Sequence, residues 1–227
     1  MDEPNCSDCP VQEAKIAASA VIVQLQDDGI TWKLQTKGTP VHLAALFRDP
    51  EIGDKSRVVS TVLDLRTGPQ GKLATGKNCW VDKFLDALPG LPIGLTVALD
   101  NGVRCPCGTA NGFEPYFERA KCCHKQTVRW FSELRHPDGA TPSIVICDKD
   151  LACSLAKLRL LHYRSGGVWQ NPRRFVEAVG DEVTYLGADA MILAHPVVLR
   201  RDPLYRQTFL DRKLSQKLSV LARLAAA

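Results

Sequence analysis

The chain has 227 residues, 45% of them hydrophobic and 24% charged, with 29 Lys and Arg against 25 Asp and Glu for a formal net charge of +4. Such values argue against a disordered chain and leave too small a basic surplus for nucleic-acid binding by bulk electrostatics alone. No apolar run reaches the ~18 residues of a membrane helix, and the opening MDEPNCSDCPVQEA is acidic and polar where a secretion signal is basic and then apolar, so the expected setting is intracellular, cytoplasmic or nuclear.

Residues 1–13 are expected to be a loose leader. Within it Cys6 and Cys9 have the gap of half a zinc knuckle but no second pair nearby. The stretch ASAVIVQLQDDGITWKLQTK predicts two strands joined at Asp27-Asp28-Gly29. In TPVHLAALFRDP, Thr39 is placed to cap and Pro40 to open a short helix that stops before Pro50, with His42 on its surface or in the core. RVVSTVLDLR reads as a strand, TGPQGKLATGKN as a glycine-rich loop and CWVDKFLDALPG as a helix. IGLTVALDNGVRC predicts a second hairpin with Asn101-Gly102 at its tip.

Beyond that hairpin a helix is expected to open at the pair Cys122 and His124 and run through HKQTVRWFSEL. SIVICD reads as a buried strand, and DKDLACSLAKLRLLHY as one amphipathic helix with acids first and bases last. NPRRFVEAVG predicts a short helix, EVTYLGADAMILAHPVVLRR reads as a strand followed by either a helix or a second strand, and DPLYRQTFLDRKLSQKLSVLARL predicts a long closing helix with a basic face. Without a regular βαβ alternation, the expected class is α+β: small mixed sheets and helices, arranged as an N-terminal α/β region (14–93), a metal module (94–136) and a mainly helical remainder (137–227).

The metal module rests on cysteine arithmetic. Nine cysteines in a chain lacking a secretion signal point to metal binding or burial rather than to a complete disulfide framework. Cys105-x-Cys107, fourteen residues, and Cys122-x-His124 supply two short pairs of the ligands zinc prefers, with Cys123 as an alternate. The order of hairpin, C-x-C, spacer, C-x-H and helix in LTVALDNGVRCPCG…KCCHKQTVRWFSEL resembles the SWIM zinc finger over residues 94–135. That resemblance implies a structural Zn2+ and a role in nucleic-acid or protein contact, and Lys121, Lys125 and Arg129 are the candidate phosphate contacts beside it. The competing explanation for the cysteines is packing in a core.

Two other chemistries compete. GKLATGKN (71–78) has the spacing of a phosphate-binding loop, and Asp148 closes an apolar run as a Mg2+-holding acid does, yet Asn78 stands where the metal-binding hydroxyl is needed. The stretch GKNCWVDKFLDALPGLP resembles the nucleophile box of papain-like cysteine proteases and deubiquitinases. That resemblance implies Cys79 as nucleophile and His195, after TYLGADAMILA, as its base, with the zinc module as an insertion. No Gln or Asn lies five or six residues before Cys79 to build the expected oxyanion hole. The primary expectation is therefore a non-enzymatic zinc protein that contacts nucleic acid or a protein partner, and the alternative is the peptidase.

Overall fold

The computed structural model describes residues 21–29, 32–48, 51–52, 58–59, 66–67, 73–74, 91–103, 113–195, 198, 201–212 and 214–223. Twelve strands fall among them: β1 (Val21–Leu25), β2 (Trp32–Gln35), β3 (Leu43–Phe47), β4 (Glu51–Ile52), β5 (Val58–Val59), β6 (Arg66–Thr67), β7 (Leu73–Ala74), β8 (Thr96–Asn101), β9 (Ser143–Cys147), β10 (Leu161–Tyr163), β11 (Glu182–Tyr185) and β12 (Ala188–Leu193). The helices are α1 (Phe113–Glu133), α2 (Lys149–Lys157), α3 (Pro203–Asp211) and α4 (Leu214–Leu221).

One eight-stranded sheet, ordered β10-β11-β12-β9-β3-β8-β1-β2, dominates, with two-stranded ribbons β4-β5 and β6-β7 besides. Its centre, β12-β9-β3-β8, is parallel. Antiparallel pairs close both edges, β1-β2 next to β8 and β11-β10 next to β12. A parallel strand is covered on both faces, so its sequence is continuously apolar. β3 and β9 are accordingly buried at every position.

Register fixes which side chains share a face. Ala44 aligns with Ala98 and with Ile144, so even-numbered residues of β3, β8 and β9 lie together on one side and odd-numbered ones on the other. The even face carries α1 and α2. Gly102 continues that face, and a Cβ there would run into the Leu151 side chain of α2. On the odd face, the Ser143 hydroxyl donates to the carbonyl of Leu221 in α4, whose Leu214, Leu218 and Leu221 are buried. Trp169 is fully buried and donates its Nε1–H to Asp181 Oδ2 at 3.0 Å.

Strands and helices mix as expected for α+β, but through one large sheet instead of several small ones. The β1–β2 hairpin turns at Gly29, whose φ of 68° suits glycine. SIVIC is a buried strand as read. The expected helix at Pro40 is instead strand β3, because an apolar run flanked on both sides by parallel partners gains two ladders of hydrogen bonds that a short helix would forfeit. The expected hairpin at Asn101-Gly102 is absent, since β8 already pairs with β3 on one side and β1 on the other.

The described parts of residues 94–136 join the main sheet and core. β8 is an interior strand of the sheet, and Tyr116, Ala120, Cys123, Trp130 and Phe131 of α1 join the same hydrophobic core. The region 137–227 contributes strands β9 to β12 to the sheet beside its helices. The single helix expected from Asp148 to Tyr163 stops at Lys157. Arg159 then takes a left-handed φ of 58°, and Leu161–Tyr163 pair as a strand. The short helix expected around Val176 is a 3-10 turn over Phe175–Ala178. The long closing helix is two short ones, α3 and α4. Cys6, Cys9, the leader and the Cys79 helix lie outside the described residues.

Candidate functional site at the carboxyl edge of the parallel strands

Chain order along the parallel centre is β3, β8, β9, β12, whereas spatial order is β8, β3, β9, β12. The chain leaves β3 toward β8, then returns across β3 through α1 to β9. The direction of travel therefore reverses between β3 and β9. In open parallel sheets such a switch point opens a crevice outside the carboxyl ends of the strands, where ligands bind.

Each parallel strand is an apolar run closed by polar residues at this edge: Arg48 after β3, Asp100-Asn101 at the end of β8, Asp148 after β9 and His195 after β12. Arg48 Nη2 lies 3.3 Å from Asp150 Oδ2, and its guanidinium stands 4.9 Å from the Tyr116 ring centroid. The backbone there is held firmly. Tyr116 donates its hydroxyl to the Arg48 carbonyl at 3.0 Å, Val103 N–H donates to the same oxygen at 3.1 Å, and Gly102 N–H donates to Phe47 O at 2.7 Å.

Asp148 caps α2, its Oδ1 accepting from Asp150 N–H at 2.7 Å and Leu151 N–H at 3.1 Å. Burial, and secondarily the Asp150 carboxylate, push its carboxyl up to about 7, against the opposing pull of the two N–H groups and Arg48. The residue as a whole is nevertheless partly exposed. A carboxyl so placed exchanges protons near neutrality, as a general acid or base does. The preceding Cys147 is fully buried, and burial pushes its thiol well up, so it is an inert core thiol and not a nucleophile.

The expected zinc ligands are distributed differently. Cys105 and Cys107 belong to the β8–α1 connection and lie outside the described residues. Cys122, Cys123 and His124 fall in the middle of α1, which opens at Phe113, about 13 Å earlier along its axis. Cys122 therefore has no helix N-terminus beside it. Residues two apart on an α-helix project about 200° apart, so Cys122 and His124 are not brought onto one side. Cys122 is partly exposed, Cys123 packs in the core, and His124 Nδ1 lies 3.3 Å from the Tyr185 hydroxyl. Burial lowers the His124 pKa, keeping the imidazole neutral. Among the described residues, no group of three or more His, Cys, Asp or Glu side chains is arranged to hold a metal ion.

Lys121, Lys125 and Arg129 are all exposed, at four-residue spacing along α1, so they form one stripe with about 6 Å of rise between neighbours. Arg129 Nε is 3.8 Å from Glu133. His195 is partly buried, its ring centroid 6.5 Å from that of Phe47. Leu73–Ala74 of the phosphate-loop-like stretch pairs in a ribbon with Arg66–Thr67, and the rest of residues 71–78 lies outside the described residues. Among the described residues no helix is long and apolar enough to cross a membrane.

No protein-family model and no curated protein sequence matches the chain. What defines the protein is its own geometry: a mixed sheet with a parallel centre and a polar switch point. Arg48 and Asn101 escape notice in the sequence because each closes an apolar run assigned to another role, one a helix end and the other a hairpin tip. The repeated form of apolar run then polar residue, in LAALFR, LTVALDN and SIVICD, is the signal that connects them.

Proposed function

We propose that this chain is a small-ligand-binding domain whose site is the crevice at the carboxyl ends of β3 and β9. The observation that carries it is Asp148, a partly exposed residue whose carboxyl is pushed up to about 7 at the topological switch point. Arg48 and Asp150 give the crevice both charge signs, which suits a polar ligand with more than one kind of hydrogen-bonding group. If the ligand reacts, Asp148 is the proton-carrying group. The test is an amide NMR screen of the full chain with acetate, phosphate, methylammonium, nicotinamide and nucleosides. Shifts clustering at residues 47–48, 101–103 and 148–151 support the site; fragments that move none of these residues refute it.

A second reading keeps a structural Zn2+ within residues 94–136, as part of the main fold, and a contact with nucleic acid or a protein partner in an intracellular setting. The exposed stripe of Lys121, Lys125 and Arg129 favours it. A bound Zn2+ would draw on Cys105 and Cys107 and on one or two of Cys122, Cys123 and His124. Less than about half an equivalent of zinc in protein purified reduced counts against it. If three phosphates are contacted, single-strand affinity falls with a log–log salt slope of about −2, and replacing all three cations with Ala abolishes that slope. The Cys79 and His195 peptidase is the enzymatic alternative, tested by loss of peptidase or deubiquitinase activity in Cys79→Ala.

A further inference from the structure

Asn101 is fully buried at the end of β8, and among the described residues neither its Oδ1 nor its Nδ2 has a hydrogen-bond partner. By register it aligns with Phe47, on the odd face, and continuing the β3–β9 register sets Phe47 beside Cys147. His195 reaches the same place from β12, its ring tilted at 75° to Phe47. Asn101 thus closes the odd side of the edge whose even side holds Arg48 and Asp148.

Leaving one buried polar atom unpaired costs about 1–3 kcal/mol, and this amide leaves two. A leucine has similar bulk and would avoid that cost, so the carboxamide does nothing for the stability of the empty fold. Its two atoms define what would satisfy it. An anion accepts only and an ammonium donates only, each answering half of the amide. A planar group with a donor and an acceptor side by side answers both, as an asparagine does when it pairs with the edge of adenine. Phe47 and His195 supply flat, largely apolar surroundings for such a group.

We infer that Asn101 is the specificity residue of the carboxyl-edge site, and that the ligand presents an adjacent donor and acceptor on a planar amide or nucleobase edge. This rests on the crevice reading above. The experiment is calorimetric titration of the full chain with nicotinamide, adenosine, cytidine and uridine, with acetate and methylammonium as one-sided controls. At least one of the four binds the wild type, Asn101→Leu weakens it about tenfold or more, and neither control binds.

Binding of none of the four overturns the inference and leaves a buried water as the amide's partner. Binding that Asn101→Leu leaves within about twofold also overturns it. If fragments other than these four move the amide signals of residues 148–151, the crevice reading stands while this inference falls. Should Asn101→Leu not fold, Asn101→Asp decides: it keeps the shape but turns the donor into an acceptor, and unchanged affinity overturns the proposal.

Discussion

Replacing Asp148 with Asn tests the electrostatics of the switch point through folding stability. Asparagine caps a helix about as well as aspartate, so α2 keeps its N-terminal bonds while the titrating group disappears. In the folded chain the carboxyl is pushed from 3.8 up to about 7. Native protein then holds the proton over a range where the unfolded chain has released it. Stability from this group is complete below pH 3.8, falls as pH rises through the window to about 7, and is level above it. A rise from 3.8 to about 7 corresponds to a ceiling of about 4 kcal/mol, and because the residue is partly exposed, screening reduces the expected change to about 2 kcal/mol. Urea denaturation of both proteins from pH 4 to 8 reads this directly. Asp148→Asn gains about 2 kcal/mol on the wild type between pH 4 and 7.5. A difference that is flat with pH refutes the reasoning. One of opposite sign would mean that the two N–H groups and Arg48 outweigh burial and hold the carboxylate ionised.

Packing and backbone predictions are independent of ligand. Trp169→Ala removes the largest fully buried side chain among the described residues and costs about 3–5 kcal/mol in urea denaturation, whereas a loss under about 1 kcal/mol would contradict its burial. Gly180 and Gly187 both have positive φ, 90° and 78°, but a Cβ on Gly180 would sit 2.6 Å from Leu214 Cδ2 while one on Gly187 meets nothing within 4 Å. Gly187→Ala should therefore cost about 1–2 kcal/mol from backbone strain alone, and Gly180→Ala about 1–3 kcal/mol more by displacing the buried Leu214 side chain. Equal losses in thermal or urea unfolding would refute the packing of α4 against Gly180.

Local chemistry made some elements legible from the sequence alone. Asp27-Asp28-Gly29 between β-branched runs specified the β1–β2 hairpin because its turn needs only neighbouring residues. SIVIC reads as a buried strand, and Asp148 at its end is an acid closing an apolar run. The start of α2 was legible for the same reason, since an amphipathic helix carries its pattern within itself. For β3 and β8 the decisive partners are remote. HLAALF is apolar at nearly every position, and such a run has no period to separate a helix from a strand buried on both faces. Pro40 and Thr39 then favoured the wrong choice, and only pairing with β8 and β9 decides it. Asn101-Gly102 carries a hairpin signal that is overridden because β8 finds β1 and β3 instead of its own continuation. The cysteine pattern showed which residues were close in sequence, but a continuous α1 turns Cys122 and His124 to different sides. The switch point is the extreme case. Arg48, Asn101 and Asp148 come from three separate stretches, and they meet at one edge only because strand order in the sheet differs from order in the chain.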